Sequence, residues 1–304
     1  MPGGWSEATA INNNREIAGW TTIDSTGLGV IHAALWHQGM LDTLPAIPGY
    51  AIHQARDLNN TGMIVGWAAG NIADSAVAVV WRLGQPPLVL GHLSGEATVA
   101  YGVNDAGTVI GSSNGNAFAW TAAAGMANLT PPGFLGSEAT RINNAGAIVG
   151  YASDTLGYTH PLRWNPDGSI TDLLPAGSLG AFLLDINSAG GVAGFVDPAG
   201  GEATATRWTP NGSVIPLQIG PYSQANGLSD RGRTVGYLGD VSTPLPWTKY
   251  KNSLTSLPLP PASPSNGMAL DVNTCGSVVG WAWAASGPPT TPHAMLWKST
   301  ACDP

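Results

Sequence analysis

Seven similar phrases in this 304-residue chain each contain an Ile, Leu or Val followed by a polar turn. The residues just ahead of that apolar position carry the side chains that could do chemistry. Four places ahead of Ile11, Leu58, Val103, Ile142, Ile186, Leu228 and Val272 stand Glu7, Gln54, Val99, Glu138, Phe182, Gln224 and Met268. Two places ahead stand Thr9, Arg56, Tyr101, Thr140, Leu184, Asn226 and Leu270, and one place ahead Ala10, Asp57, Gly102, Arg141, Asp185, Gly227 and Asp271. Such a mixture at equivalent positions of one repeat suits a ligand pocket better than a uniform core. In an enzyme, Glu7, Asp57, Glu138, Asp185 or Asp271 would act as acid or base once their pKa values shift. Arg56 or Arg141 would then hold an anionic group, and Tyr101 would stack or donate a proton. In a binding module the ligand contacts would be Glu7, Gln54, Arg56, Tyr101, Glu138, Arg141, Phe182, Gln224, Asn226 and Met268. The same positions admit two blander roles: side chains that plug a channel, and aspartates that accept hydrogen bonds from their own turns.

Other reactive residue types are scattered. Asp24, Asp74, Asp154, Asp197 and Asp240 fall in variable loops, and with Glu7, Glu96 and Glu138 they would make one face acidic. That suits a cationic ligand or a Ca²⁺ ion, although no segment has the Asp/Asn/Gly spacing of an EF-hand loop and ordinary solvated loops are the simpler account of the acids. His32, His160 and His293 share one repeat position and are expected to hydrogen-bond a neighbouring loop, whereas His53 and His92 are freer candidates. No His–Cys or His–Glu spacing reads as zinc, so no metal ligand and no resident cofactor is expected. Gly-x-Ser-x-Gly and phosphate-loop motifs do not occur, which leaves open a site assembled from several units.

The elements that must position these residues follow from the repeat. Its clearest copy is Ile142-Asn143-Asn144-Ala145-Gly146-Ala147-Ile148-Val149-Gly150-Tyr151, and the closing glycines Gly19, Gly66, Gly111, Gly150, Gly194, Gly236 and Gly280 recur every 39–47 residues. A tryptophan follows each: Trp36, Trp81, Trp120, Trp164, Trp208, Trp247 and Trp297. Each unit reads as four strands, A to D. A ends at the Ile-Asn pair, B at the Gly and a following aromatic, C at the Trp, and D is the apolar stretch beyond. The Asn-Asn-x-Gly turn supplies residues that tolerate positive φ. Four short antiparallel strands per unit of this length predict a seven-bladed β-propeller, all-β, with mostly four-stranded blades, in preference to a solenoid. The units fall at about 6–50, 51–95, 96–135, 136–179, 180–221, 222–264 and 265–304 of a single domain. Strand A would line the central channel, and the D–A and B–C loops would share the face where A begins. Ten of the twelve tryptophans occupy the strand B or strand C positions and are expected to be structural, leaving Trp5 and Trp283 outside the pattern.

These phrases resemble the HAF-repeat family of bacterial, often extracellular proteins. The His-Ala-Phe phrase is matched by His32-Ala33-Ala34-Leu35-Trp36, Asn116-Ala117-Phe118-Ala119-Trp120 and His293-Ala294-Met295-Leu296-Trp297. The resemblance covers nearly the whole chain and implies a secreted or cell-surface propeller of undefined activity. It transfers no catalytic residues.

Composition bounds the rest. Only 10% of residues are charged, 43% are hydrophobic, and Gly (41) with Pro (24) punctuate the whole length; an average soluble domain is roughly 25% charged. This profile excludes a helical protein and a disordered one. A net charge of −8 with 11 dispersed basic residues argues against nucleic acid. No apolar run is long enough to span a membrane, and the start, Met1 to Trp5, lacks the charged and apolar regions of a secretory signal. Cys275, in the A–B turn of the last unit, and Cys302, just past its strand C, are expected to pair and tie down a last unit with at most a short outer strand. The function expected is therefore an extracellular, monomeric binding module presenting a channel mouth and loop face to a small molecule, glycan or protein. The alternative is a hydrolase, lyase or cyclase with its acid–base site at that mouth.

Overall fold

A computed structural model of the chain describes residues 4–22, 30–71, 75–239, 243–260, 266–283 and 292–299. Unit 1 contributes β1 (Ser6–Ile11), β2 (Ile17–Thr22), β3 (Ile31–His37) and β4 (Met40–Thr43). Unit 2 contributes β5 (Ile52–Leu58), β6 (Met63–Ala69), β7 (Val77–Arg82) and β8 (Leu88–Val89). Unit 3 has β9 (Thr98–Val103), β10 (Val109–Ser113), β11 (Asn116–Thr121) and β12 (Gly125–Asn128), and unit 4 has β13 (Phe134–Ile142), β14 (Ile148–Asp154), β15 (Thr159–Trp164) and β16 (Ile170–Asp172). Unit 5 has β17 (Ser178–Ile186), β18 (Val192–Pro198), β19 (Thr204–Trp208) and β20 (Val214–Pro216). Unit 6 has β21 (Ser223–Leu228), β22 (Thr234–Leu238), β23 (Leu245–Tyr250) and β24 (Ser253–Ser256). The last unit has β25 (Gly267–Val272), β26 (Val278–Trp283) and β27 (Pro292–Trp297).

The strands form an all-β propeller, but their hydrogen bonding corrects the seven-bladed expectation. Five blades stand as separate sheets: units 3 to 6 with four strands each, and the last unit with three among the described residues. Units 1 and 2 are not separate blades. They form one eight-stranded sheet, because β3 and β5 join through a parallel bridge at Ile31 and Ile52. A repeat count reports how often the chain retraces a path, and it is silent on whether neighbouring units also bond to each other.

Each strand A lies beside the strand A of the next unit, and β25 returns to β1, closing the ring. Apolar layers fill the wedges between units: Leu35, Leu44 and Ile47 of unit 1 pack with Leu58, Ile64 and Trp81 of unit 2. The strand C tryptophans sit in these wedges. Trp81 Nε1 donates to Pro45 O (3.0 Å) and Trp208 Nε1 to Leu173 O (3.0 Å), each a carbonyl of the preceding unit. The recurring Leu after strand D has a fixed role as well. Leu44, Leu90, Leu129, Leu173, Leu217 and Leu257 each donate their N–H to a strand C carbonyl of their own unit, at 2.8–3.0 Å.

The Asn residues of the repeat serve a different end from the one read in the sequence. The positive φ of the A–B turn falls on its glycine, as at Gly146 (φ 86°), or on Arg15 (φ 64°) in unit 1. The first Asn instead forms a belt around the ring. Asn143 Oδ1 accepts from Ala147 N (2.9 Å) within its turn, while its Nδ2 donates to Asn187 O (2.9 Å) of the next unit. Equivalent bonds run from Asn12 to Asn59, Asn59 to Asn104 and Asn104 to Asn143. Asn273 to Asn12 O (3.1 Å) crosses the seam between the chain's two ends.

Candidate functional site

The closing glycine of strand B determines where the site residues point. A Cβ on Gly150 would lie 1.9 Å from Glu138 O, and a Cβ on any of the other six closing glycines would lie 1.9–2.0 Å from a strand A carbonyl oxygen. Only a residue without a side chain lets strand A press this closely on B. At that point every strand A carries a β-bulge. Ala139 faces Gly150 and Arg141 faces Val149, so Thr140 has no partner, and Thr9, Arg56, Tyr101, Leu184, Asn226 and Leu270 are skipped in the same way. A bulge re-aims the extra side chain. All seven skipped residues, with Glu7 and Arg141, line one cavity of about 250 Å³ in the central channel.

The bulge residues divide into wall and site. Thr9 Oγ1 donates to Ala18 O or Ala55 O (both 3.1 Å), Thr140 Oγ1 contacts Val149 O and Leu183 O (3.1 and 3.0 Å), and Asn226 Nδ2 donates to Ala269 O (2.9 Å). These side chains satisfy carbonyls on the bulged strands and their neighbours. Glu7, Arg56, Tyr101 and Glu138 form a polar group instead. Glu138 accepts hydrogen bonds from the Tyr101 and Tyr151 hydroxyls, and Glu7 is hydrogen-bonded to Trp20. Burial raises the pKa of both carboxyls, opposed by the nearby positive charge of Arg56. Burial and the Glu138 charge push the Tyr101 hydroxyl up to about 12 and raise Tyr151 as well. The Nε of Arg56 is buried and has no hydrogen-bond partner. Leu184 and Leu270 supply apolar wall to the same cavity.

Gln54, Glu138, Phe182, Gln224 and Met268, expected as ligand contacts, do not line this cavity, although Glu138 is hydrogen-bonded to the lining residue Tyr101. Phe182 stacks on Phe195 (centroids 4.8 Å apart) and is 38% exposed, so it does not plug the channel. Trp20, expected to be structural, and Tyr151, the strand B aromatic of unit 4, each lie directly across from a strand A glutamate, Tyr151 from Glu138 and Trp20 from Glu7. The offset between the two repeat positions carries that signal, once the pairing register is known.

The three aspartates work as staples. Asp57 accepts from Leu58 N (2.8 Å) and Val103 N (2.9 Å), and Asp185 from Ile186 N (2.8 Å) and Leu228 N (2.6 Å). Asp271 accepts from Val272 N (2.7 Å) and Ile11 N (2.8 Å). Each ties its own unit to the next, with Asp271 acting across the seam. Arg141, at the equivalent position of unit 4, donates to Thr140 O (2.9 Å) and lies near enough to lower all three carboxyl pKa values. Desolvation outweighs that attraction, and Asp57 is pushed up to about 6. Arg141 also lines a second cavity of about 150 Å³ on the A–B turn side, so it marks the partition between the two ends of the channel.

The remaining candidates disperse. Asp24, Asp74 and Asp240 lie outside the described residues. Asp154 accepts from Leu156 N and Tyr158 N in its own hairpin, and among the described residues no group of three or more His, Cys, Asp or Glu is placed to hold a metal ion. His160 pairs with Asp172 (2.7 Å) and Asp154 (3.4 Å) of its own unit rather than a neighbouring loop. His53 is buried and its Nε2 accepts from Ile47 N (3.0 Å), which makes it part of the wall. Cys302, half of the expected disulfide, lies outside the described residues, and Cys275 is not a free thiol.

Fold and site together define a β-propeller with a polar channel cavity. Compared in sequence, the chain matches no protein-family model and no curated protein. Solved structures are similar in fold. The β-propeller domain of the Trilobed protease from Pyrococcus furiosus superposes with a TM-score of 0.66 at 10% identity, covering 99% of each chain. A puromycin-hydrolyzing peptidase from Mycobacterium tuberculosis gives 0.65 at 13% identity over 97% of this chain and 51% of its own. TolB from Acinetobacter baumannii gives 0.55 at 16% identity over 78% and 61%. The chain thus spans about half the length of the peptidase and three fifths of TolB. Among the described residues no helix is long and apolar enough to cross a membrane.

Proposed function

We propose that this propeller is a binding module whose ligand enters the channel cavity and is held by Arg56, Glu7 and Tyr101, with Glu138 positioning the Tyr101 hydroxyl. One observation carries the reading: a guanidinium with a buried, unpartnered Nε faces a cavity lined by residues that differ from unit to unit. An unsatisfied buried donor costs about 1–3 kcal/mol, which a ligand acceptor would relieve. At about 250 Å³ the cavity falls below the roughly 300–1,000 Å³ of drug-sized sites. The ligand is therefore of metabolite size, with an anionic or strongly accepting group for Arg56 and an apolar part for Leu184 and Leu270. A glycan or protein ligand would reach the cavity from the loop face. There the longer strands β13 and β17 each carry a second bulge, at Leu135 and Leu179, and expose these side chains to 71% and 75%. The HAF-repeat likeness supports a secreted or surface location.

A thermal-shift screen of small carboxylates, phosphates and sugars tests the reading. Hits should lose at least tenfold in affinity in Arg56→Met and Glu138→Gln and be unchanged in Asp167→Asn, a distant exposed turn. Absence of hits, or hits indifferent to Arg56, would overturn it. A second reading, an acid–base enzyme, rests on Glu138 holding two phenols whose pKa values it raises. Turnover of a hit followed by mass spectrometry, abolished in Glu138→Gln, would favour the enzyme.

A further inference from the structure

Four strand C tryptophans close the wedge between their own unit and the one before it. Trp81, Trp164, Trp208 and Trp297 donate their indole N–H to Pro45 O, Leu129 O, Leu173 O and Pro258 O at 2.7–3.0 Å. In unit 6 the strand register brings Lys249 rather than Trp247 to this place, opposite Thr234, and its Nζ donates to Leu217 O (2.9 Å). Trp120 of unit 3 holds the same place, opposite Val109, yet its indole N–H donates to none of the described residues. The reason lies two residues back in strand C. Facing the closing glycine stand Val79, Leu162, Thr206 and Met295 in the four units that make the bond, but Phe118 in unit 3 and Trp247 in unit 6. Phe118 is fully buried, and a Cβ on Gly111 would meet its ring at 2.9 Å. An aromatic ring at this inner position fills the wedge and holds the outer side chain away from the preceding unit. The long, flexible stem of Lys249 still reaches its carbonyl; the rigid indole of Trp120 does not.

Between units 2 and 3 there remains a cavity of about 390 Å³, larger than the channel cavity and within the roughly 300–1,000 Å³ of ligand sites. Met63, Val80, Pro86, Leu88 and Trp120 supply apolar wall, and Leu88 is 49% exposed. Arg82 is the one charged residue in the lining, and among the described residues its side chain makes no hydrogen bond or ion pair. We propose that this cleft binds a medium-chain fatty acid, with the carboxylate on Arg82 and the acyl chain along the apolar wall. A guanidinium is matched in charge and geometry by a carboxylate, and one cation in an otherwise uncharged, largely apolar lining calls for a ligand charged at one end only. The free indole N–H of Trp120 is a second donor for the same headgroup. No residue of the channel cavity lines this cleft, so it stands whether or not the channel binds a ligand.

Isothermal titration calorimetry of the intact protein with dodecanoate, kept below its micellar concentration, tests it. Saturable one-site binding is expected, at least tenfold weaker in Arg82→Met. Ala123→Glu places a negative charge in the exposed turn between β11 and β12 that lines the cleft, and should weaken binding at least fivefold; it keeps the test valid if Arg82→Met misfolds. Dodecyltrimethylammonium, the same chain with the opposite charge, should not bind, and Arg56→Met in the channel should leave the dodecanoate affinity within twofold. The proposal is overturned by no saturable binding, by indifference to Arg82→Met, by equal binding of the ammonium, or by loss of binding in Arg56→Met. Cosedimentation with anionic phospholipid vesicles that disappears in Arg82→Met would assign the cleft to a membrane surface and overturn it equally.

Discussion

Asp57, Asp185 and Asp271 share a residue type with a general base and a position near the channel axis, and both features made them candidates for chemistry. Their oxygens are instead occupied by backbone N–H groups of two units. Asp57 also shows the sign of the electrostatics. Its folded pKa of about 6 lies above the ordinary aspartate value of 3.8 because the site is poorly solvated. The folded state therefore binds the proton more tightly than the unfolded chain does. This group's contribution is fully present below pH 3.8 and is lost as pH rises through 6, by roughly 2–3 kcal/mol. Urea denaturation at pH 4.5 and pH 8 should show the protein more stable at the lower pH, as far as Asp57 contributes. Asp57→Ala should flatten that difference and cost about 3 kcal/mol at pH 4.5, because Leu58 N and Val103 N lose their acceptor. Nothing in the type or spacing of an aspartate announces two N–H donors from different units, which is why this role was only half legible.

The unit of design at the next scale is a bulged strand A against a glycine in strand B. The glycine's recurrence was plain in the sequence, and so were the variable positions ahead of the Ile/Leu/Val. The link between them was not, because it depends on a register shift that leaves residues such as Thr140 unpaired. Gly150→Ala tests the link. Its Cβ would meet Glu138 O at 1.9 Å, with backbone rather than a flexible side chain in the way. We expect a loss of about 3 kcal/mol or more, read as a lower urea midpoint, together with displacement of Thr140 from the channel wall. Gly146→Ala, in a turn with open space around it, is strained only by its positive φ; it should cost about 1 kcal/mol.

Across the whole molecule, the ring is closed by more than packing. Asp271 to Ile11, Asn273 to Asn12, Thr274 N to Asn13 Oδ1 (2.9 Å) and Ala294 to Ser6 all cross between the last unit and the first. Among the described residues these bonds join the last unit to the first. A Cys275–Cys302 bond, expected from the sequence, would lie within the last unit and contribute roughly 3 kcal/mol for a loop of about 26 residues. Intact mass measured without reductant should be two hydrogens lighter than after reduction; alkylation of two thiols without reduction would refute the bond. By itself the sequence determined a β-rich chain that retraces one four-strand path, with variable side chains at fixed places in its innermost strand. Periodicity and turn chemistry are local properties, and local properties survive in one dimension. The tertiary structure alone decided that the first two units share a sheet, that each strand A bulges, and that the charge of Arg56 lies near Glu7 and Glu138 while the aspartates serve as staples. Those outcomes depend on which residues pair, from Ile31 with Ile52 and Ala139 with Gly150 to Asp57 with Val103 and Asp271 with Ile11, and a repeat does not specify which neighbour supplies the partner.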